Sequence, residues 1–189
     1  MTAHMSRRAG FTLIEVLASL IIVGILSALA LPRLDLESYK VNSAVRTMTS
    51  TLTYAQRLAV TLQHDVRVSF DSTNARIRIH EDANNNGIMD GVERVTSRPL
   101  EDGVTLGRGT APAAPFGSAA VNFTQMQGGL PVVVFRRDGS ASENGGFYLT
   151  TKRSAVQANP YRSRAGQIIR GSGRVIWQRY TNSGWQRGN

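Results

Sequence analysis

The feature that most constrains this chain is an apolar run near its N-terminus. Residues 11–31 contain one charged side chain, Glu15. As an α-helix the run would be about 31 Å long, close to the hydrocarbon thickness of a bilayer. Arg7 and Arg8 precede it, so the positive-inside rule places the N-terminus in the cytoplasm and the remainder outside. Because a carboxylate is costly inside a bilayer and usually functional, the run is predicted to be more than an anchor.

A cleaved secretory signal is the alternative interpretation of this run. Such a signal has a shorter apolar region followed by a small-x-small cleavage site. Residues 28–30, Ala-Leu-Ala, have that pattern. The charge of Glu15 at the start of the run argues against a secretory signal.

The start of the run resembles the signal of type IV prepilins. Residues 10–16 read GFTLIEV, behind a short basic leader and ahead of an apolar run that ends at Pro32. This family comprises type IV pilins, minor pilins and the pseudopilins of type II secretion systems. The resemblance implies that prepilin peptidase cleaves between Gly10 and Phe11, removing residues 1–10, and that Phe11 is then N-methylated. A start at Met5 would leave a leader of six residues.

Glu15 has a physical role that agrees with this resemblance. Cleavage creates a positive amine at Phe11, four residues before the carboxylate. In a bundle of subunits, Glu15 of one subunit can approach the Phe11 amine of its neighbour, and the two charges attract strongly in a low dielectric. Loss of either partner leaves a buried unpaired charge. Glu15 is therefore predicted to set the register of assembly, as buried polar residues do in coiled coils.

The remainder predicts an α+β fold in which a long N-terminal helix packs on antiparallel sheet. Pro32 is expected to kink or break the helix. Beyond it, apolar residues recur at spacings of three and four, at Val41, Val45, Met48, Leu52, Ala55, Ala59 and Leu62. The expected organisation is a leader (1–10), a transmembrane and filament-core helix (11–31), a periplasmic half of the helix (32–64) and an antiparallel β head (65–189).

Short alternating segments predict the strands of the head. Three antiparallel pairs are expected, 66–70 with 77–79, 132–135 with 147–149, and 167–169 with 174–178. Residues 101–130 are rich in Gly, Ala and Pro and are expected to form a long loop with one or two short strands. This order resembles the GspH/FimT branch of the pilin-like proteins. The branch contains the minor tip pseudopilin of type II secretion and FimT-type pilins, some of which bind DNA during natural transformation.

One loop has the pattern of a calcium site. Residues 82–93, DANNNGIMDGVE, fit the twelve-residue calcium loop, in which the central glycine allows the sharp turn. The candidate ligands are Asp82, Asn84, Asn86, Ile88 through its carbonyl, Asp90 and Glu93. The two helices that flank such loops are missing from the pattern here. An Asn/Gly-rich hairpin turn with its own Asx hydrogen bonds is the alternative.

Positive charge is concentrated at the C-terminus. The net charge is +9, and no acidic residue follows Glu143. The candidate DNA-binding residues are Arg162, Arg164, Arg170, Arg174, Arg179 and Arg187. They lie among four aromatic residues, and arginine contacts with base stacking build sequence-neutral binding. DNA-binding FimT proteins have a Gly-Arg-x-Arg motif here, whereas residues 173–176 read GRVI, so a core strand with exposed arginines is the alternative.

No catalytic constellation is found in the sequence. The chain has no cysteine, and its three histidines are scattered, so we predict a protein that is not an enzyme. The predicted function is a GspH-like minor pseudopilin, a structural subunit of a type II secretion or pilus-like periplasmic filament. Its expected partners are other pilins or pseudopilins, prepilin peptidase and the bacterial inner membrane, which it crosses once with its head in the periplasm or on a surface filament. The alternative is a FimT-like minor pilin whose basic C-terminus binds DNA.

Overall fold

The computed structural model describes residues 10–30 and 35–188, without the side chains of 28–30. The leader up to residue 9, with the alternative start at Met5, and the break at Pro32 lie outside the described residues. The chain divides into two compact units, Met1–Leu36 and Glu37–Asn189.

Among its described residues, the first unit contains one complete helix, α1 (Leu13–Ala30). It begins two residues later than the predicted run because Thr12 caps it. The Thr12 carbonyl and hydroxyl accept the amide of Glu15 at 3.1 and 3.3 Å, which satisfies an N–H that has no partner within the helix. Among the described residues, no helix is both long and apolar enough to cross a membrane.

The second unit begins with a longer helix, α2 (Leu36–Leu62), which is amphipathic. The predicted apolar stripe is confirmed from Val41 to Ala59, and Ala44 and Thr51 widen it. Leu62 is the exception, because it is 41% exposed. The helix ends there, and Gln63 has a φ of 60°, which turns the chain away from the helical path.

Within the described residues, eleven strands and two short helical segments follow α2. The strands are β1 (Asp65–Asp71), β2 (Arg76–Asp82), β3 (Val95–Pro99), β4 (Val104–Leu106), β5 (Val121–Asn122), β6 (Met126–Gln127), β7 (Leu130–Phe135), β8 (Gly145–Thr151), β9 (Arg164–Ile168), β10 (Val175–Thr181) and β11 (Gly184–Arg187). The helical segments are α3 (Lys152–Val156) and a 3-10 turn (Pro160–Arg162), both between β8 and β9.

The strands form two antiparallel sheets. Sheet A has the order β3-β2-β1-β7-β6, and sheet B has the order β11-β10-β9-β8-β4, with β5 also paired to β8. The predicted hairpins β1–β2 and β9–β10 are confirmed. The α+β fold class is likewise confirmed, and residues 101–130 contain three short strands rather than one or two.

The predicted pairing of 132–135 with 147–149 is wrong. These segments are β7 and β8, and β7 pairs with β1 in sheet A whereas β8 pairs with β9 in sheet B. A tight turn follows β7, with the amide of Gly139 bonded to the carbonyl of Arg136, and it returns the chain for one bridge only, Phe135 to Ala141. The chain then enters sheet B, where every residue of β8 is buried.

One hydrophobic core joins α2 to both sheets. It includes Met48 and Leu52 from α2, Phe70 from sheet A, and Phe147 and Leu149 from sheet B. The rings of Phe70 and Phe147 lie 5.6 Å apart between their centroids, a favourable aromatic contact. The second unit therefore buries the apolar stripe of α2 within its own chain.

Candidate functional site

The predicted processing residues lie at the start of the first unit. Gly10 and Phe11 precede α1 and belong to no helix or strand, and Phe11 is 82% exposed. A Cβ built on Gly10 would meet nothing within 4 Å. Cleavage and methylation at this position stay predictions.

Glu15 lies in the first turn of α1. A negative charge there is favoured by the helix dipole. Within the described part of the chain, its carboxylate has no hydrogen bond or ion pair, although its backbone amide and carbonyl do. Its role in assembly stays a prediction, and the structure leaves the carboxylate accessible for a partner.

The predicted calcium loop connects β2 to β3, and its first residue is held by the sheet. Asp82 is fully buried at the end of β2, where its carboxylate accepts Arg67 Nε at 2.6 Å. The amides of Asn86 and Gly87 also donate to it, at 3.0 and 2.9 Å. Gly87 has a φ of 78°, and a Cβ there would lie 2.8 Å from the Arg67 guanidinium. The positive φ favours glycine at this position, and a side chain there would also displace the Arg67 guanidinium.

The other candidate ligands are engaged within the loop. The Asp90 carboxylate accepts the side-chain amides of Asn84 and Asn86 at 2.9 and 3.0 Å. Asn86 Oδ1 accepts the amide of Ile88 at 2.7 Å. These are the Asx bonds expected of a self-capped turn.

The last residue of the loop is bound to a buried histidine that sequence reasoning did not single out. His80 Nε2 lies 2.6 Å from Glu93 Oε2, and both side chains are buried. Gln127 Nε2 lies 3.0 Å from His80 Nδ1, and Gln127 Oε1 accepts the Ser69 hydroxyl. Because the side-chain amide of Gln127 donates to Nδ1, that nitrogen is the acceptor and the imidazole proton is on Nε2. His80 therefore donates to Glu93. That hydrogen bond is the main reason why the pKa of Glu93 is lowered.

The carboxylates of the loop are already engaged by N–H groups of the protein. Among the described residues, no group of three or more His, Cys, Asp or Glu side chains is arranged to hold a metal ion. The residues present do not fit an ion as they stand, because the oxygens of Asp82 and Glu93 already accept N–H groups. Calcium binding stays a prediction, and it would require Asp82 to exchange Arg67 for the ion.

The structure separates the six candidate DNA-binding arginines. Arg164 is 4% exposed, and its guanidinium donates to Asn42 and to two carbonyls. Arg170 and Arg174 are exposed at one end of the β9–β10 hairpin. Arg179, opposite Arg164 in register, lies at the other end, about 17 Å from Arg174 at 3.3 Å per residue. Two members remain, Arg162 on the 3-10 turn and Arg187 at the end of β11.

An aromatic cluster lies near Arg164 and Arg179. The rings of Tyr161 and Tyr180 stack at 6.0 Å, and Tyr180 meets Trp185 edge-on at 5.4 Å. Tyr161, Tyr180, Arg164 and Arg179 line a cavity of about 420 Å³. DNA binding at these residues stays a prediction.

Two family models match the chain. The prokaryotic N-terminal methylation motif matches residues 5–31, and Type II transport protein GspH matches residues 44–169. The second match covers about two thirds of the chain. The chain belongs to the Type II transport protein GspH family. None of the curated proteins matches it.

A solved structure gives a distant likeness. It is the minor pseudopilin EpsH from the Type 2 Secretion System of Vibrio cholerae, at 11% identity and a TM-score of 0.42. The alignment covers 79% of this chain and 96% of that chain.

The GspH match is informative in where it begins and ends. It starts inside α2 and ends at residue 169, one residue beyond β9. The calcium-like loop therefore lies inside the family region. Four of the six C-terminal arginines, Arg170, Arg174, Arg179 and Arg187, lie beyond it.

Proposed function

We propose that this chain is a minor pseudopilin, a structural subunit of a periplasmic filament in a type II secretion system. The observation that carries the proposal is the order of two matches on one chain. An N-terminal methylation motif at residues 5–31 precedes a GspH domain at 44–169. A processed helical terminus joined to a folded head is the arrangement that such a subunit needs.

The surface of α1 supports this function. Its large apolar side chains from Leu13 to Leu26 are between 49% and 83% exposed. A helix that is apolar on all sides must be covered by lipid or by other helices. Before assembly, α1 would be buried in the inner membrane, with the head in the periplasm. After assembly, it would be buried among the helices of neighbouring pseudopilins.

Glu15 would specify the contact between neighbouring subunits. Prepilin peptidase would free the amine of Phe11, and this amine would pair with Glu15 of the next subunit. The Glu15 carboxylate has no partner within the described part of its own chain, so pairing with a neighbour breaks no existing contact. The pair would fix the axial position of one subunit against another.

The proposed role is structural and requires no catalytic residues. DNA binding is the less favoured alternative. The GspH match favours a secretion subunit. The candidate arginines are spread over both ends of a hairpin, and Arg164 is buried. Loss of DNA uptake on deletion of the gene is therefore the result that would favour this alternative.

The function is tested by deleting the gene and restoring it with the full-length chain. Two measurements are made on the same cultures, the release of extracellular proteins and the uptake of labelled DNA. We expect deletion to abolish protein release and to leave DNA uptake unchanged. Loss of DNA uptake with normal protein release would replace the proposal by the FimT-like alternative.

Processing is tested separately by mass spectrometry of the N-terminus. The wild type should begin with N-methylated Phe11, and Gly10→Val should keep its leader. Gly24→Val is the matched control, because a Cβ at either glycine meets nothing within 4 Å in the structure. Cleavage of Gly10→Val at the same site as the wild type would contradict the assigned peptidase site.

A further inference from the structure

A cleft lies between the edge of sheet A and the helix α2. Its lining includes Ala44, Met48 and Thr51 from one face of the helix, together with Ile77 of β2 and Leu100. The volume of the cleft is about 230 Å³. Pockets that hold a whole small-molecule ligand usually measure roughly 300–1,000 Å³, so this cleft suits a single large side chain. We call it the edge cleft.

Strand β3, which borders the edge cleft, has one side without a neighbouring strand. It is the end strand of sheet A, and four of its five residues are exposed. The amide of Glu81 on β2 donates to the carbonyl of Arg94, and bonded and non-bonded pairs alternate along an antiparallel ladder. The main-chain groups of Val95 and Ser97 therefore point away from β2. Within the described residues they make no hydrogen bond.

Pro99 limits how much chain can pair with this free edge. It has no N–H, so the outward donors of β3 are those of Val95 and Ser97. An extended peptide that joins a sheet edge gains affinity from main-chain hydrogen bonds and specificity from pockets for its alternate side chains. Because the ladder here is short, the adjoining edge cleft supplies the second part of that recognition.

A positive charge is held at one end of the edge cleft. Arg98 lines the cleft and is opposite Ile77 in register. Since Ile77 belongs to the core, the Arg98 side chain lies on the cleft side of the sheet. Its guanidinium is 5.8 Å from the ring centroid of Tyr54 on α2, a cation–π contact that orients it. In the described part of the chain, Arg98 forms no ion pair with a carboxylate.

The acidic residue that lines the edge cleft lies at its other end. Glu101 Oε1 accepts the hydroxyl of Ser43 at 2.5 Å. Ser43 precedes Tyr54 by eleven residues on α2, which is about 16 Å along a helix. The charge of Arg98 is therefore available to a carboxylate from outside the chain.

We propose that β3 and the edge cleft bind an extended segment of a different subunit of the same filament, an inference that rests on the proposed function. The segment adds a strand to sheet A by bonding to the outward main-chain groups of Val95 and Ser97. One of its apolar side chains fills the edge cleft. A carboxylate two residues away, on the same side of the segment, pairs with Arg98.

Charge argues against a second copy of β3 as the occupant. Arg98 is the one charged residue of this strand, so pairing two copies would bring like charges into one ladder, which is destabilising. Nucleic acid does not fit either. It has no main-chain amides to extend a sheet, and the face of Tyr54 on which a base could stack is covered by Arg98.

The test measures binding of defined peptides to the full-length chain in detergent. The probe is a short extended peptide, rich in threonine and valine, with a leucine and an aspartate two residues apart. One control peptide has lysine in place of the aspartate. A second control keeps all side chains but is N-methylated at alternate amides, which then cannot donate to a strand.

Two variants, each with a matched control, locate the binding. Ser97→Pro removes an outward N–H without breaking the ladder to β2, because proline is tolerated where the N–H of an edge strand faces solvent. Ser97→Ala is its control, since it changes the same side chain and keeps the N–H. Arg98→Glu reverses the charge at the edge cleft, and Arg153→Glu makes the same change at an exposed arginine outside it.

We expect the wild type, Ser97→Ala and Arg153→Glu to bind the acidic peptide within twofold of one another. Ser97→Pro and Arg98→Glu should each bind it at least tenfold more weakly, and the N-methylated peptide should not bind. Arg98→Glu should now prefer the lysine peptide. Because Arg98 also packs on Tyr54, this reversed preference separates lost recognition from lost folding, and thermal unfolding is measured for each variant.

Three binding results would overturn the inference: no binding of the acidic peptide by the wild type, equal binding by Ser97→Pro, or equal binding of the N-methylated peptide. Dimerisation of the wild type that Ser97→Pro abolishes would also overturn it, because the occupant would then be a second copy. Filament incorporation in cells separates this inference from the proposed function. A Ser97→Pro chain that enters filaments as well as wild type overturns the edge site alone. A wild type that enters no filament overturns the proposed function, whatever the peptides show.

Discussion

The two long helices of this chain begin alike, each with a glutamate in its first turn, but they differ in how much of their surface is buried. α1 has Glu15 in its first turn and α2 has Glu37. The large side chains of α1 are about half to four fifths exposed, whereas α2 buries one stripe completely against two sheets of its own chain. The second unit thus finds its packing partners internally, whereas the large apolar side chains of the first unit's helix are exposed.

The same contrast holds for charge. In the second unit, the buried carboxylate of Asp82 is paired with Arg67, and buried Glu93 is bonded to His80. In the first unit, the Glu15 carboxylate has no such contact within the described residues. Substitutions in the second unit should therefore act on folding, and substitutions in the first should act on assembly.

The largest loss of stability is expected when a buried side chain in the core of the second unit is truncated. Leu52→Ala should lower the free energy of unfolding by about 3 kcal/mol, because Leu52 is fully buried and the truncation leaves a cavity. Leu20→Ala on α1 should change it by less than about 0.5 kcal/mol, because Leu20 is 67% exposed. Urea unfolding of both full-length variants in detergent measures the difference. Equal losses would break the comparison.

The second effect concerns the buried charge of the loop. Asp82→Asn should destabilise the head by about 2 kcal/mol, because Arg67, which is 17% exposed, loses its countercharge. Asp102→Asn is the matched control, because Asp102 is exposed. A loss no larger for Asp82 than for Asp102 in urea unfolding would show that the Arg67 contact contributes little.

The third effect is that the stability of the head depends on pH in the acid range. The pKa of Glu93 is lowered from its ordinary value of 4.5, chiefly by the hydrogen bond from His80. A carboxylate with a lower pKa in the folded state stabilises the fold above its unfolded pKa, and the contribution is lost as the pH falls. The unfolding free energy of the wild type should therefore fall more steeply below about pH 5 than that of Glu93→Gln. Equal slopes in the two proteins would contradict this assignment.

Calcium gives the smallest expected effect. If residues 82–93 hold the ion, calcium at ten times its dissociation constant stabilises the head by about 1.4 kcal/mol. Calorimetry should then show a heat of binding that Asp90→Asn reduces, together with a rise in the unfolding temperature. Absence of heat at millimolar calcium would remove the calcium prediction and leave the self-capped hairpin turn.

Local patterns in the sequence were enough for much of the fold. Helical spacing placed the buried face of α2, and short alternating segments placed the β1–β2 and β9–β10 hairpins. Such patterns do not show where a helix stops, so Leu62 was assigned to the buried stripe although it is exposed. They also do not show which sheet a strand joins, and for that reason β7 and β8 were wrongly paired.

Contacts between distant residues could not be predicted. Trp177 on β10 packs against Arg46 on α2, more than a hundred residues away in sequence. Arg67 lies one strand before Asp82, and its pairing with the first calcium-type residue depends on the register of β1 with β2. Glu15 was visible from sequence because a single charge in an apolar run needs no tertiary information to be noticed.

The most direct test compares the two first-turn carboxylates. Glu15→Gln and Glu37→Gln are expressed at equal levels, and the amount of each chain recovered in isolated filaments is measured against wild type. We predict that Glu37→Gln enters filaments normally and that Glu15→Gln is reduced at least tenfold, with its head equally stable to urea. Normal incorporation of Glu15→Gln would contradict the central claim that this carboxylate joins one subunit to the next.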